Sequence, residues 1–282
     1  MLQPDGRATK ARIGVLVPHM ELVAESEFAA MAPAGVSIHA ARVPLGPFGP
    51  HRETRPTDIR EMVSAFAKPP DVDRAAAMLA AAPLNVIVFA FTSSSYLLGA
   101  DADASLKTRL EENTGGIPVV IQCAAAVAAL RAVGAQRPAL IHPPWWPNVL
   151  DEWGVEYFRN QDFEVTAHGT AKLSSHDGEV DALELADWIK QHVPAQADSV
   201  FLGGSGFRTI GIIQELEADL CRPVITANQP PFGYAIGLAG VAAGQRGFSG
   251  ARGPHQHTPL DNFAASTVEF SGLTTTVSQS LH

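Results

Sequence analysis

A segment that occurs twice in the sequence constrains the fold more than any other feature. In residues 86–120 and again in residues 199–225, an apolar run enters a short polar turn, a helical stretch follows, and a Pro-Val pair comes next. Apolar runs that alternate with helical stretches of this length are typical of βαβ units, in which the strands are parallel. The repeat therefore predicts two similar half-molecules that face each other, each built on a parallel sheet.

The same alternation extends along most of the chain. Strands are predicted at 13–17, 36–43, 86–91, 118–121, 139–141, 163–167, 200–202 and 223–226. Helices are predicted at 57–66, 71–82, 102–112, 124–133, 149–160, 180–193, 209–220 and 231–241. The helices at 124–133 and 231–241 are expected to cross between the halves. This divides the chain into a first α/β half at 1–124 plus 227–250, a second α/β half at 125–226, and a C-terminal tail at 251–282.

Composition excludes several classes of function. The chain has 282 residues, 46% of them hydrophobic, and a formal net charge of −9 with no basic block, so we expect no nucleic-acid partner. No apolar run approaches the roughly 18 residues of a membrane helix, and the polar N-terminus does not resemble a signal peptide. Two cysteines, Cys123 and Cys221, fit a reducing compartment. We therefore expect a cytoplasmic protein with no membrane partner.

The C-terminal tail is rich in Gly, Pro, Ser and Thr and shows no periodicity. Such a segment is either disordered or laid over a neighbouring subunit. Four apolar residues favour partial order of the tail and suggest a homo-oligomer; they are Phe263, Val268, Phe270 and Leu273. The tail also carries His255 and His257, a weak signal for a metal site.

Ligands of open parallel sheets bind beyond the carboxyl ends of the strands. Small polar residues occupy these ends and are predicted to bind a substrate: Thr92, Ser93, Ser94, Gly204, Ser205, Gly206 and Asn228. The hydroxyls at 92–95 are equally explained as caps of the next helix. A nucleophile elbow at 203–206 is disfavoured, because Phe207 stands where that motif needs glycine.

Three ionisable residues at strand ends, His19, Glu21 and His142, are the candidates for acid–base catalysis. Histidine titrates near neutrality, and burial can raise a glutamate toward it. Each of them is also explained as a structural residue, and a metal site made of the three stays open although the spacing does not demand one. Cys123, just past a strand end, is a further residue that could touch the site.

The order and spacing of four segments resemble a known family. Gly14–Pro18, Ala90–Ser93, Phe207–Thr209 and Val224–Gln229 are similar to the aspartate/glutamate racemase superfamily, in its branch of maleate cis-trans isomerases and arylmalonate decarboxylases. The resemblance implies two flavodoxin-like parallel-sheet halves related by pseudo-twofold symmetry, with the site between them. It also implies chemistry without a cofactor at a carbon next to a carboxylate.

The two positions where this resemblance places catalytic cysteines hold Phe91 and Gly204. We therefore expect an enzyme that acts on a small carboxylate or carbonyl substrate through an enediolate-like intermediate, as a decarboxylase, isomerase or lyase. His19, Glu21 or His142 would move the proton in place of cysteine. The alternatives are a protein that binds a small acid without converting it and a metal-assisted hydrolase.

Overall fold

Two parallel sheets of four strands form the framework of the protein. The computed structural model describes residues 8–46, 58–173 and 180–241. The strands are β1 Ala11–Pro18, β2 Val36–Val43, β3 Val86–Phe89, β4 Val119–Ile121, β5 Pro138–His142, β6 Ala167–Thr170, β7 Ser199–Leu202 and β8 Val224–Thr226. The strand orders are β2-β1-β3-β4 and β6-β5-β7-β8. The order is the same in both sheets, which confirms the prediction of two similar α/β halves.

Ten helices surround the sheets within the described ranges. They are α1 Val23–Met31, α2 Ile59–Phe66, α3 Asp71–Ala80, α4 Thr92–Leu98, α5 Ala100–Asn113, α6 Gln122–Ala132, α7 Asn148–Arg159, α8 Ala182–His192, α9 Ile213–Leu220 and α10 Gln229–Leu238. Most predicted helices are present with bounds shifted by a few residues at either end. The helix predicted at 57–66 begins at Ile59, because Asp58 caps it by accepting the N–H groups of Arg60 and Glu61.

Three elements differ from the sequence prediction. Helix α4 was not predicted, because the hydroxyl residues at its start indicate a turn. Helix α1 was not predicted, because no side chain of the usual capping types precedes it; Glu21 takes that place. The strand predicted at 163–167 lies instead at Ala167–Thr170. The apolar residue that suggested the earlier strand, Phe163, packs against Phe158 with its ring centroid 6.0 Å away. Burial of that ring does not require a strand.

The central strands explain why the sheets are buried on both faces. Every residue of β3 and β7 is fully buried, as expected for strands of a parallel sheet with helices on both sides. β1 pairs with β3, and β5 pairs with β7. The loops that leave these strands at their carboxyl ends therefore lie side by side.

Some expectations concern parts of the chain that lie outside the described residues. They concern the C-terminal tail, with His255, His257 and its apolar anchors. The expected homo-oligomer therefore stays a prediction. The division of the chain at 124 and 227 also stays a prediction. Within the described ranges, no helix is both long and apolar enough to cross a bilayer.

Candidate active site

The turn at 203–206, which follows β7, is where candidate residues from both sheets meet. A Cβ atom built on Gly206 would lie 3.5 Å from Cγ of Glu21, which follows β1. A Cβ atom on Gly203 would lie 2.8 Å from Nε2 of His142, the last residue of β5. Two of the three predicted acid–base residues therefore flank the same turn, one at each end.

Glu21 presents one engaged and one unpartnered carboxyl oxygen. Its Oε1 accepts hydrogen bonds from the backbone N–H groups of Val23 and Ala24, the second at 3.0 Å. Its Oε2 is buried and has no hydrogen-bond partner in the described part of the chain. Burial raises the pKa of Glu21 from 4.5 to about 7, against the opposing effects of the two N–H donors and Arg42. The proton that it carries near neutrality belongs on Oε2, because both N–H donors face Oε1.

His142 is completely buried and hydrogen-bonded through both ring nitrogens. Nδ1 lies 2.7 Å from Oδ1 of Asp151, and Nε2 lies 3.2 Å from the hydroxyl of Tyr96. The other oxygen of Asp151 lies 2.6 Å from Nδ1 of His168. The indole of Trp146 stacks on the His142 ring, with centroids 5.0 Å apart and an interplanar angle of 15°. Contacts at both ring nitrogens and on one ring face therefore fix the position of the imidazole.

The charges of this group follow from burial and hydrogen bonding. Burial lowers the pKa of His142 more than the Asp151 carboxylate raises it. Burial alone would raise the pKa of Asp151, but the hydrogen bonds from His142 and His168 outweigh it and lower that pKa. At neutral pH we therefore assign a neutral His142 that carries its proton on Nδ1, facing an ionised Asp151.

The absence of a side chain at Gly203 is required by this packing. A Cβ atom there would lie 2.6 Å from Cδ2 of His142 and 2.8 Å from the Tyr96 hydroxyl. We expect Gly203→Ala to lower the free energy of unfolding by about 1–3 kcal/mol in urea denaturation, because both rings must move. Gly211→Ala is the control, since nothing lies within 4 Å of its Cβ position. Equal losses from the two substitutions would show that the packing at Gly203 is not tight.

The hydroxyl residues at 92–95 form the first turn of α4 rather than a turn that precedes a helix. All four are buried. The N-cap residue is Phe91, and no side chain caps the helix; Ser94 donates to the carbonyl of Phe91 at 3.2 Å. The alternative that these hydroxyls serve as helix caps is therefore wrong. The hydroxyls of Thr92 and Ser93 donate to no other residue that the structure describes, and their binding to a ligand stays a prediction.

Asn228 links the 203–206 turn to the first half. Its Nδ2 donates to the carbonyl of Ser205 at 2.9 Å and to Oε2 of Glu27 at 2.8 Å, and its Oδ1 accepts from Gln122 at 2.8 Å. The amide of this predicted binding residue is thus fully engaged with protein groups. Asn228 positions Ser205, whose own hydroxyl makes no bond among the described residues.

The third acid–base candidate, His19, lies on the β2 side of the site. Its Nδ1 accepts a hydrogen bond from the backbone N–H of Leu45 at 3.0 Å. No group of three or more His, Cys, Asp or Glu within residues 8–46, 58–173 and 180–241 is arranged to hold a metal ion. A ligand set made of His19, Glu21 and His142 is disfavoured, because both ring nitrogens of His142 face protein partners.

Cys123 is buried, with Sγ 3.7 Å from the carbonyl oxygen of Thr92. Burial raises the pKa of its thiol well above the ordinary value, so it is a poor source of thiolate. Cys221 is exposed at the end of α9, away from these contacts.

Sequence reasoning missed two residues of this site, Tyr96 and Asp151. Tyr96 follows a run of hydroxyl residues and precedes two leucines, a context that reads as core packing. Asp151 lies in the first turn of α7, where an acidic residue is explained by the helix dipole. Only the pairing of α4 with α7 in the folded chain brings both to His142.

Comparisons with known proteins agree with this architecture. Residues 67–250 match the family described as arylmalonate decarboxylase. The maleate isomerase of Geobacillus stearothermophilus is 24% identical over 231 residues, which are 77% of this chain and 86% of that protein. The crystal structure of a variant of the maleate isomerase Iso from Pseudomonas putida S16 with maleate matches with a TM-score of 0.72 and 21% identity, covering 89% of this chain and 97% of that chain.

A crystal structure of arylmalonate decarboxylase matches with a TM-score of 0.68 and 24% identity, over 84% of this chain and 96% of that chain. These likenesses confirm the fold of two parallel four-stranded sheets. The family match covers well over half of the sequence and includes α4, β5 and the 203–206 turn. The chain therefore belongs to the arylmalonate decarboxylase family.

Proposed function

We propose that this protein is a cofactor-independent enzyme that removes a carboxyl group from a small dicarboxylate through an enediolate-like intermediate. The observation that carries the proposal is the carboxyl of Glu21. It lies beside Gly206, has a pKa of about 7, and holds its proton on a buried oxygen that no described protein group engages. A proton placed in this way is suited to transfer onto a carbanion.

The chemistry needs donors for a developing anion and one proton. When the bond between the α-carbon and one carboxylate breaks, carbon dioxide leaves and the electron pair spreads onto the remaining carboxylate. The hydroxyls of Thr92, Ser93 and Ser205 would donate to those oxygens, where the charge develops. Glu21 would then give its Oε2 proton to the α-carbon and be reprotonated from solvent.

Decarboxylation is favoured over isomerisation because it needs no thiol. The turns where the resemblance places cysteines hold Phe91 and Gly204. Gly204 has φ of +95°, a region that disfavours other residues, and a Cβ atom there would lie 2.7 Å from Cγ of Pro143. A side chain at Gly204 would therefore be strained as well as crowded.

The comparisons support the substrate class. The Pseudomonas relative is described with maleate, a small dicarboxylate, and the family description names arylmalonate. Among the three acid–base candidates we assign the proton transfer to carbon to Glu21. His142 is committed to Asp151 and Tyr96, and His19 accepts a backbone N–H.

The test is turnover of phenylmalonate, methylmalonate and maleate, followed by NMR for loss of a carboxyl group or change of double-bond geometry. We expect carboxyl loss from a malonate and no conversion of maleate. Saturable binding of all three with the compounds recovered intact would instead indicate a binding protein.

We expect Thr92→Val to lower kcat/KM for carboxyl loss by roughly 10²-fold, because one hydroxyl donor to the anion is removed while the shape is kept. Thr114→Val is the matched control, because Thr114 is also buried but donates to the carbonyl of Leu110 at the end of α5. If both variants turn over the malonate equally well, Thr92 does not contact the anion.

A further inference from the structure

A line of four hydrogen-bonded side chains runs from the surface to the 203–206 turn. It begins at His168, whose side chain is 42% exposed, and passes through Asp151 and the buried His142 to the hydroxyl of Tyr96. Tyr96 belongs to α4 and the other three to the second sheet and its helix, so the line crosses between the halves. Its inner end lies at Gly203, as the close approach of the Tyr96 hydroxyl shows.

Asp151 determines which groups donate and which accept along this line of hydrogen bonds. A carboxylate only accepts, so both His142 and His168 donate to it through Nδ1. His142 is then left with a lone pair on Nε2, which accepts the proton of the Tyr96 hydroxyl. Carboxylate, imidazole and hydroxyl follow one another as in a hydrolytic triad, with a phenol in the place of serine.

The consequence concerns the oxygen of Tyr96. Its one proton is committed to His142, so this oxygen can face a ligand only with its lone pairs. Tyr96 is 5% exposed, a burial shared by Thr92, Ser93 and Ser205, which are 1%, 3% and 5% exposed. The Tyr96 oxygen also lies against Gly203, the first residue of the 203–206 turn. An acceptor that is buried there must meet a donor or remain unsatisfied.

We propose that the Tyr96 oxygen, held by His142 and Asp151, accepts a hydrogen bond from a hydroxyl group of the substrate, which is therefore a small hydroxyl-bearing carboxylate. This inference rests on the proposed function, and it adds a specificity-determining residue at the opposite end of the turn from Glu21. Tyr96 contacts the substrate; His142 and Asp151 are positioning residues that act through it. A hydroxyl is favoured over an ammonium group because the only carboxylate of the line, Asp151, is already engaged by two imidazole N–H groups, and burying an unpaired charge is costly.

The experiment compares the binding of hydroxymalonate and methylmalonate, which differ by a hydroxyl in place of a methyl group, by calorimetry with the full chain. We expect hydroxymalonate to bind roughly tenfold more tightly. Tyr96→Phe should erase this preference. Tyr157→Phe is the matched control, because it removes a buried phenol that packs against Tyr96 but bonds to Asp103; it should keep the preference.

A second measurement addresses the positioning residues independently of any ligand. In ¹⁵N NMR of histidine-labelled protein, we expect His142 to be protonated at Nδ1 and unprotonated at Nε2, and Asp151→Asn to disturb this pattern. A protonated Nε2 in the wild type would overturn the inference, since Tyr96 would then be free to donate. Conservative replacement Asp151→Glu should restore part of the hydroxyl preference if Asp151 acts as a positioning group.

The outcomes separate this inference from the proposed function. Equal binding of the two probes, tighter binding of aminomalonate than of hydroxymalonate, or loss of the preference in Tyr157→Phe as well as Tyr96→Phe would each overturn the inference. If phenylmalonate is decarboxylated while neither probe binds, the inference fails and the proposed function stands. If hydroxymalonate binds preferentially but no malonate is converted, the recognition is supported and the proposed reaction fails.

Discussion

Glu21→Gln is expected to lower kcat for carboxyl loss by roughly 10²–10⁴-fold, with KM changed only a few-fold. Glutamine keeps the Oε1 acceptor that receives the backbone N–H groups of Val23 and Ala24, so the start of α1 is preserved. It has no proton to give to carbon. Steady-state kinetics on the malonate that the wild type converts best would measure both constants.

The pH dependence follows from the raised pKa of about 7. If Glu21 is the proton donor, wild-type kcat is high at low pH and falls as pH rises through about 7. A rise through the same range would show that Glu21 acts as a base and would contradict the assignment. The kcat of the Glu21→Gln variant should not show this fall near pH 7.

Stability provides a readout of the same group that does not depend on a substrate. The pKa of Glu21 is about 7 in the folded chain against 4.5 ordinarily, so the folded state holds this proton more tightly. The contribution of this bound proton to the free energy of unfolding is fully present below pH 4.5 and is lost as pH rises through about 7. Wild type should therefore lose stability relative to Glu21→Gln between these pH values, as measured by thermal unfolding.

Glu25→Gln is the control for both measurements. Glu25 lies in the first turn of α1, the helix that Glu21 precedes, and pairs with Arg42 at 2.6 Å. It should leave kcat unchanged and introduce no new pH dependence of stability in this range. An equal loss of kcat in the two variants would mean that Glu21 acts only through the helix.

The fold was predictable because its signals are local. The runs that become β3 and β7 are mostly apolar, and their repetition is enough to predict two similar halves, each built on a parallel sheet. Elements with weak local signals were misplaced. α1 begins without a usual capping residue, and the apolar Phe163 is buried outside any strand.

The candidate site was predictable only in part, for the same reason. The carboxyl ends of parallel strands are known from strand positions alone, and this was enough to select Glu21 and His142 as candidates. Their placement at opposite ends of one turn is visible only in the structure. The partners of His142 are distant along the chain: Tyr96 lies 46 residues before it. No pattern in the sequence links a tyrosine in one helix to a histidine at the end of another sheet's strand.

The contact of α1 with the second half also joins residues that are distant along the chain. Removing it is expected to have the largest effect on stability. Glu27 is 3% exposed. Its Oε1 accepts the backbone N–H groups of Thr209 at 2.7 Å and Ile210 at 3.0 Å, and its Oε2 accepts from Asn228. One carboxylate thus satisfies two buried donors and one half-buried donor, which follow β7 and β8 rather than its own strand.

We expect Glu27→Ala to lower the free energy of unfolding by about 3–5 kcal/mol, because it removes the acceptor of two buried donors and one half-buried donor and opens a cavity. Urea denaturation would measure this loss. Glu25→Ala, two positions earlier on α1, removes a partly exposed ion pair and should cost at most about 1 kcal/mol. Similar losses from the two substitutions would contradict a role for Glu27 in joining the halves.

Glu27→Ala should also affect the candidate active site, because Glu27 contacts Asn228. Without Glu27, the Asn228 amide keeps its bond to the carbonyl of Ser205 but loses the acceptor that fixes its other hydrogen. The 203–206 turn, which carries Gly206 next to Glu21, then loses part of its support. The kinetics should be measured on the Glu27→Ala variant at a low temperature at which it is folded. We expect kcat to fall by a larger factor than KM rises, because the proton donor and the anion-binding hydroxyls no longer hold their relative positions. Unchanged kcat in the folded variant would show that the link stabilises the fold without positioning the site.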